Sequence, residues 1–184
     1  MKPDPRGRHR RSIRLKEYDY AQPGAYFVTI VAFRRNYLFG EIVDKEMQLN
    51  EFGSIADECW RAMPEHFPDV ELGAYVVMPN HMHGIIVIHG NPSSIGVVVW
   101  ARHASLVQKP SNPRGFKRGS IGAIVASFKS AVTRRIGRER KIMGVWQRNY
   151  YEHIIRDEKE WDRIHRYIEC NPSRWAEDDQ NPLK

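Results

Sequence analysis

Two histidines one residue apart open an apolar, β-branched run in MPNHMHGIIVI, residues 78–88. Side chains alternate across a strand, so His81 and His83 would share one face while Met82 points to the other. A spacing of about 6.5 Å along the strand lets two imidazole nitrogens converge on one metal ion. The pattern alone leaves open a second interpretation, in which the histidines are simply hydrogen-bonded or lie at the surface.

A tyrosine near the end of the chain has the placement expected of a nucleophile. On a helix beginning at Asp157, apolar residues form one face, and Tyr167 is turned away from it towards Arg156 and Arg163. Asn171, four residues further on, stands above the phenol and offers an amide oxygen to a cation. The alternative is a structural tyrosine half-buried at the edge of the core.

These groups together suit phosphodiester chemistry. A hard cation such as Mg²⁺ binds phosphodiester oxygens and polarises the phosphorus, which a phenol can then attack to form a covalent phosphotyrosine. The ordinary pKa of tyrosine is near 10, so the site must activate the phenol or remove its proton during attack. Tyr150 and Tyr151 are rival candidates because they also lie late in the chain among basic residues. Adjacent strand residues face opposite ways, so at most one of them could point at the histidines.

The charge distribution favours a nucleic-acid partner over a merely solvated basic surface. The 184-residue chain has a net charge of +7 and a sequence pI near 9.5. Basic residues concentrate in residues 1–16 and 109–140, and such blocks release counterions when they neutralise phosphates. The predicted DNA-contacting residues are Arg8, Arg10, Arg11, Arg14, Lys129, Arg134, Arg135 and Arg163.

Other features bound the cellular setting and the organisation of the chain. No stretch approaches the ~20 apolar residues of a membrane span, and the basic N-terminus lacks the apolar segment of a signal peptide. Two cysteines, Cys59 and Cys170, cannot form a disulfide framework, so we expect a cytoplasmic protein without a membrane partner. The composition predicts a basic arm over residues 1–22 and one domain over residues 23–184, with a flexible basic loop at 90–119.

The elements that must position the candidate residues follow from periodicity and turn signals. Strands are predicted at 25–33, 71–78, 81–88 and 145–156, and helices at 52–63, 120–136 and from 157 to just before Pro172. Gly137 is the predicted stop of the second helix. The order β-α-β-β-α-β-α predicts an α+β fold, a ferredoxin-like antiparallel sheet with helices packed on it.

Several motifs resemble one transposase family over most of the chain. MPNHMHGIIVI and YIECNP resemble the single-tyrosine HUH transposases, and more specifically the REP-associated tyrosine transposases. The same resemblance holds for RRSIRLKEYDYAQPGAYFVTI, GSIGAIVASFKSAVTRRI and VWQRNYYEHIIRDEKEW. The sheet described above then corresponds to the HUH endonuclease fold.

The resemblance implies a role for each motif residue. His81 and His83 become the histidine pair, Tyr167 the nucleophile, and Asn171 the third metal ligand, where insertion-sequence relatives often have Gln. The implied activity is metal-dependent cleavage and joining of single-stranded or hairpin DNA through a 5′-phosphotyrosine, with Mg²⁺ or Mn²⁺, in a monomer or a homodimer. A domesticated hairpin-binding protein that does not cut, and a metal-dependent nuclease using water, remain the alternatives.

Overall fold

A computed structural model describes residues 21–90, 117–140 and 144–182, without the side chains of 138–140. The strands are β1 (Gly24–Val31), β2 (Gly40–Val43), β3 (Glu46–Leu49), β4 (Val70–Val77), β5 (His81–Ile88) and β6 (Tyr151–Ile155). The helices are α1 (Glu51–Arg61), α2 (Met63–His66), α3 (Ile121–Arg140) and α4 (Glu158–Glu169), with 3-10 helices at Phe33–Arg35 and Pro172–Glu177. The predicted arm and nearly all of the predicted flexible loop lie outside the described residues. No helix in the described part of the chain is long and apolar enough to cross a membrane.

Four strands form one antiparallel sheet in the order β4-β5-β1-β6. This sheet, with helices packed on it, confirms the predicted α+β antiparallel fold. β5 lies between β4 and β1 and pairs with β1 along its whole length, from Gly24 opposite Ile88 to Val31 opposite His81. The histidines therefore lie on a central strand whose backbone is held by hydrogen bonds on both sides.

Each face of the sheet has its own hydrophobic core. On one face, Met82 and Ile86 of β5 pack in a cluster with residues of α1 and α3. On the other face, Ile85 and Val87 pack with Ile164 and other residues of α4. Because β5 is buried on both faces, its sequence is a nearly continuous apolar run. Alternation places His81 and His83 on the face that α4 covers.

Several local features differ from the sequence-based prediction. A β2–β3 hairpin was not predicted, because its strands have only four residues and its turn is Asp44-Lys45 rather than Asn-Gly. Both turn residues adopt positive φ, 50° and 68°, as a tight two-residue turn requires. Strand β6 begins at Tyr151 rather than at 145.

The predicted stop at Gly137 is also wrong, because α3 continues to Arg140. A glycine inside a helix costs only about 1 kcal/mol relative to alanine, which neighbouring turns readily offset.

The close contact between Gly84 of β5 and α1 leads to a prediction about the stability of the fold. Trp60 of α1 is fully buried, and a Cβ built on Gly84 would overlap its indole ring. We expect Gly84→Ala to lower the free energy of unfolding by roughly 1–3 kcal/mol, the usual cost of overpacking a core. Urea denaturation measures the change.

Gly137→Ala provides the matched control for this stability test. A Cβ at Gly137 has no described neighbour within 4 Å, so this change should stabilise α3 by up to about 1 kcal/mol. Equal unfolding free energies for the Gly84 variant and the parent chain would contradict the packing argument.

Candidate active site

The two histidines of β5 converge on one point. His81 is fully buried and His83 nearly so, and their Nε2 atoms lie 3.0 Å apart. Phe27 of β1 stacks on the His83 ring, with centroids 5.4 Å apart. Two imidazoles this close, with their Nε2 atoms turned towards each other, have the arrangement of a metal-binding pair.

A second layer of residues fixes the orientation of each imidazole. The Nδ1–H group of His81 donates to Oδ1 of Asn80 (2.9 Å), since a carbonyl oxygen can only accept. The amide of Asn80 is itself oriented, because its Nδ2 donates to the carbonyls of Arg35 (3.2 Å) and Gln180 (2.7 Å). Thr29 Oγ1 lies 2.8 Å from Nδ1 of His83. Because the proton of neutral His81 is on Nδ1, its Nε2 carries a lone pair that can bind a metal. The contact with Thr29 at Nδ1 allows the same tautomer for His83.

Both imidazoles are neutral near pH 7. Burial lowers the pKa of His81 to about 3, and the charge of Arg35 acts in the same direction. Burial also lowers the pKa of His83 well below its usual value, with a further contribution from His81 and an opposing one from Asp178. Neutral imidazole is the form that binds metal, so the site is ready to accept a cation without releasing protons from these rings.

Asp178 joins the histidines, and the sequence-based prediction had missed it. It caps the 3-10 helix Pro172–Glu177 and is buried. The ligand atoms of His81, His83 and Asp178 all lie within 4.8 Å of one another, and Oδ2 of Asp178 is 4.0 Å from Nε2 of His81. The segment AEDDQNP lacks periodicity and resembles an exposed tail, so only its burial against the histidines identifies the carboxylate.

Aromatic contacts hold this C-terminal segment against the site. Trp175 stacks on the His81 ring at 5.9 Å, and Tyr37 meets Trp175 edge-on at 5.7 Å. The Tyr37 hydroxyl also donates to Oδ1 of Asn181 (2.9 Å). Asp178 is therefore brought to the histidines by packing on both sides of it.

Asn171, the predicted third ligand, also lies in this cluster. Its Nδ2 donates to Oδ2 of Asp178 (3.1 Å), while its Oδ1 is buried without a hydrogen-bond partner among the described residues. A buried oxygen without a partner is costly and is a natural cation ligand. Two neutral imidazoles, a buried carboxylate and this amide oxygen make a donor set that fits a divalent cation.

Tyr167 places its hydroxyl directly at this cluster. The phenol lies 3.1 Å from Nε2 of His83, and the ring, 45% exposed, packs edge-on against Phe27. Burial raises the pKa of Tyr167 to about 12, with Asp178 adding to the effect and a hydrogen bond from Asn171 opposing it. The phenol is therefore half-open to solvent, protonated and in contact with a candidate metal ligand.

The electrostatic surroundings of this phenol differ from the sequence-based expectation. Arg156 and Arg163 were expected to stabilise a phenolate, but the guanidinium of Arg163 contacts Glu160 (3.4 Å), and neither arginine is among the groups that shift the pKa of Tyr167. The charges that shift the pKa of Tyr167 are those of Asp178 and Asp179. The phenol thus lies in an acidic environment rather than a basic one.

The rival tyrosines lie on opposite sides of the sheet, as strand alternation requires. Tyr151 lies opposite Thr29 on the face of the histidines, packs edge-on against Phe27 (6.3 Å) and is 39% exposed. Tyr150 packs against the core of the other face. Of these two, Tyr151 is therefore the one on the side of the site.

The predicted DNA-contacting residues fall into three groups. Arg8, Arg10, Arg11 and Arg14 lie outside the described residues. Lys129 donates to the backbone carbonyls of Gln147 and Arg148, and Arg135 pairs with Glu58 (2.6 Å), so both have protein partners. Arg134 and Arg163 are exposed, and Arg163 also contacts Glu160 (3.4 Å). Arg134 lines a cavity of about 460 Å³ between α3 and residues 144–148.

Comparison with known proteins supports the assignment made from the motifs. An uncharacterised protein of Haemophilus influenzae is 44% identical over 171 residues, which cover 92% of each chain. A second H. influenzae protein, named "Putative REP-associated tyrosine transposase", is 28% identical over 155 residues, covering 84% of this chain and 73% of the relative. No family model matches the chain.

A solved structure shows the same fold. The REP-associated tyrosine transposase bound to a REP hairpin aligns with a TM-score of 0.57 at 20% identity, covering 89% of this chain and 75% of that one. In fold and in motifs, the chain resembles the single-tyrosine HUH transposases. The named relative and the aligned structure are both REP-associated tyrosine transposases, and the chain is similar to them.

Proposed function

We propose that this protein cleaves and rejoins single-stranded or hairpin DNA through a covalent 5′-phosphotyrosine at Tyr167. The observation that carries the proposal is the phenol 3.1 Å from Nε2 of His83, inside the buried cluster that also contains His81 and Asp178. A nucleophile touching a candidate metal ligand is the geometry needed to attack a metal-bound phosphate. The fold shared with a transposase bound to a REP hairpin supports hairpin DNA as the substrate class.

The reaction follows from what these side chains can do. The Tyr167 oxygen attacks the phosphorus, the bond from phosphorus to the 3′ oxygen breaks, and the phosphotyrosine retains the 5′ phosphate. With a pKa of about 12, the phenol must lose its proton during attack, and the departing 3′ oxygen gains one, so protons balance. A 3′ hydroxyl that later attacks the phosphotyrosine reverses these steps and rejoins a strand. A divalent ion bound in the cluster would polarise the phosphate.

The ion is proposed to be Mn²⁺ or Mg²⁺, as the resemblance to the HUH transposases implies. Carboxylate and amide oxygens suit both ions, and the two imidazoles are accepted more readily by Mn²⁺ than by Mg²⁺. His81 and His83 would each supply a nitrogen ligand. Asp178 and Asn171 are both candidates for the third ligand, because they lie together at the cluster and are hydrogen-bonded to each other.

The third ligand can be tested through metal affinity alone. Asp178→Asn should weaken Mn²⁺ binding roughly 100-fold, because it replaces a buried anionic donor by a neutral one. Isothermal titration of the DNA-free protein measures this affinity. Asp179→Asn, which removes a charge from the exposed neighbouring residue, should change this affinity far less. Unaltered binding in Asp178→Asn, together with loss in Asn171→Ala, would instead assign the third position to Asn171.

The function itself is tested by looking for a covalent product. Hairpin oligonucleotides with randomised single-stranded flanks, labelled on either side of the hairpin, would be incubated with protein and Mn²⁺ and run on a denaturing gel. The proposal predicts a labelled band at the protein position. Cleaved DNA without that band would indicate a nuclease using water, and retention on a native gel without cleavage would indicate a hairpin-binding protein.

A further inference from the structure

Two consecutive arginines adopt a disfavoured backbone conformation beside the candidate site. In the turn Phe33–Arg35, which follows β1, Arg34 and Arg35 have φ of 57° and 56°. Side chains other than glycine rarely adopt this left-handed region, and when they do the surrounding structure must hold them there. Here the N–H of Arg35 donates to the carbonyl of Ala32 (3.0 Å), and its own carbonyl accepts from Nδ2 of Asn80 (3.2 Å).

Direct contacts tie this turn to the histidines and to the acidic residues. Asn80, which holds the carbonyl of Arg35, also accepts the Nδ1–H of His81. The guanidinium of Arg35 donates to the backbone carbonyl of Asp179 (3.3 Å), the residue after Asp178. Its charge is near enough to contribute to the low pKa of His81. The Arg35 guanidinium therefore lies at the rim of the site, exposed to solvent.

An incoming phosphodiester needs a cationic partner of this kind. The phenol lies beside Asp178 and Asp179, whose charges oppose a second anion, and Glu160 engages the guanidinium of Arg163. A guanidinium presents several N–H donors in a planar fork that matches phosphate oxygens, and the contact with Asp179 uses one of them. Arg35 is thus an exposed cation that the contacts above connect to both the histidines and the acidic segment.

We infer that Arg35 binds a non-bridging oxygen of the phosphate that Tyr167 attacks and stabilises the charge developing there. This inference rests on the proposed function, since it assigns a partner to the phosphate in that reaction. The strained turn then has a functional explanation. The left-handed backbone of Arg35, and the hydrogen bond from Asn80 to its carbonyl, direct its side chain towards the site. A preorganised donor of this kind acts mainly on the transition state.

Arg34 provides a matched control within the same turn. It is exposed like Arg35 and has nearly the same φ, so alanine substitution has the same backbone consequences at either position. Its guanidinium carbon instead lies 5.2 Å from the centre of the Phe33 ring. A difference between the two variants therefore reports where the guanidinium lies, rather than net charge or turn conformation.

The experiment measures single-turnover formation of the covalent adduct at saturating DNA, using the hairpin oligonucleotide that the wild-type protein cleaves most in the gel test. We expect Arg35→Ala to slow adduct formation roughly 100-fold, the effect of removing one transition-state donor. Arg34→Ala should react close to the wild-type rate. Ethylguanidinium added in solution should restore part of the rate in Arg35→Ala, and Arg35→Lys should be intermediate because it keeps charge but not the fork.

The outcomes separate this inference from the proposed function. If the wild-type protein forms no adduct, the proposed function fails and the inference falls with it. If it forms the adduct and Arg35→Ala matches it in rate, the inference alone is overturned. A slow Arg35→Ala variant that ethylguanidinium does not rescue would also overturn it, since that result indicates structural damage. Arg35→Lys supplies the same comparison should the alanine variant fail to fold.

Discussion

Replacing Tyr167 with phenylalanine should eliminate the covalent protein–DNA adduct. The change removes the oxygen that would attack phosphorus, so the single-turnover rate should fall by at least about 10⁴-fold. The ring contacts remain, edge-on to Phe27 at 6.1 Å and to His83 at 5.1 Å. The free energy of unfolding should therefore change by no more than about 1 kcal/mol, the usual value of one hydrogen bond. A denaturing gel measures the adduct and urea denaturation measures the free energy of unfolding. A native gel-shift measures DNA affinity, which should be preserved.

Tyr151→Phe is the control for this prediction. Tyr151 lies on the same face of the sheet, contacts the same Phe27 ring and is similarly exposed, but it belongs to β6 rather than α4. The Tyr151→Phe variant should form the adduct at close to the wild-type rate. Persistence of the adduct in Tyr167→Phe, with its loss in Tyr151→Phe or Tyr150→Phe, would make Tyr167 a structural residue.

The second large effect is expected from the histidine pair. Changing His81 and His83 together to alanine should abolish cleavage, with a loss of at least about 10³-fold, because metal polarisation of the phosphate contributes several kcal/mol. Binding of Mn²⁺ to the DNA-free protein should disappear as well. Affinity for hairpin DNA should remain mostly intact, since that affinity comes chiefly from basic residues elsewhere.

Chelation of the wild-type protein should reproduce the loss of cleavage without any mutation. This comparison matters because both rings are buried, and truncating them also costs stability. His89→Ala is the matched variant, since His89 follows β5 directly but pairs with Glu71 at the surface. It should cleave normally. Undiminished cleavage in the double variant, or in chelator, would exclude a metal held by these histidines.

Much of the fold and part of the candidate site could be predicted from local sequence patterns. Alternation along β5 was enough to place His81 and His83 on one face, and turn signals with periodicity were enough for the antiparallel sheet and its helices. Helical geometry also placed Asn171 one turn beyond Tyr167, and both away from the apolar stripe of the last helix. Each of these inferences depends on residues close together in the chain, where period and spacing determine direction.

The remaining features depend on contacts between distant segments. Asp178 reaches the histidines because Trp175 stacks on His81 and Tyr37 hydrogen-bonds to Asn181, and nothing in the local sequence marks that tail as buried. The role of Asn80 depends on carbonyls from two other parts of the chain. The acidic environment of Tyr167 likewise comes from Asp178 and Asp179, which lie beyond the helix that carries the phenol.

Peptide mapping of the trapped adduct tests the central claim most directly. After nuclease trimming, trypsin should release Tyr167 in the peptide YIECNPSR, residues 167–174, in which it is the sole tyrosine. The account predicts that this peptide carries the nucleotide phosphate, with fragmentation placing it on the tyrosine. The rival tyrosines fall in a different peptide, NYYEHIIR, residues 149–156. A nucleotide on that peptide, or cleaved DNA with no modified peptide, would contradict the assignment of Tyr167 as the nucleophile.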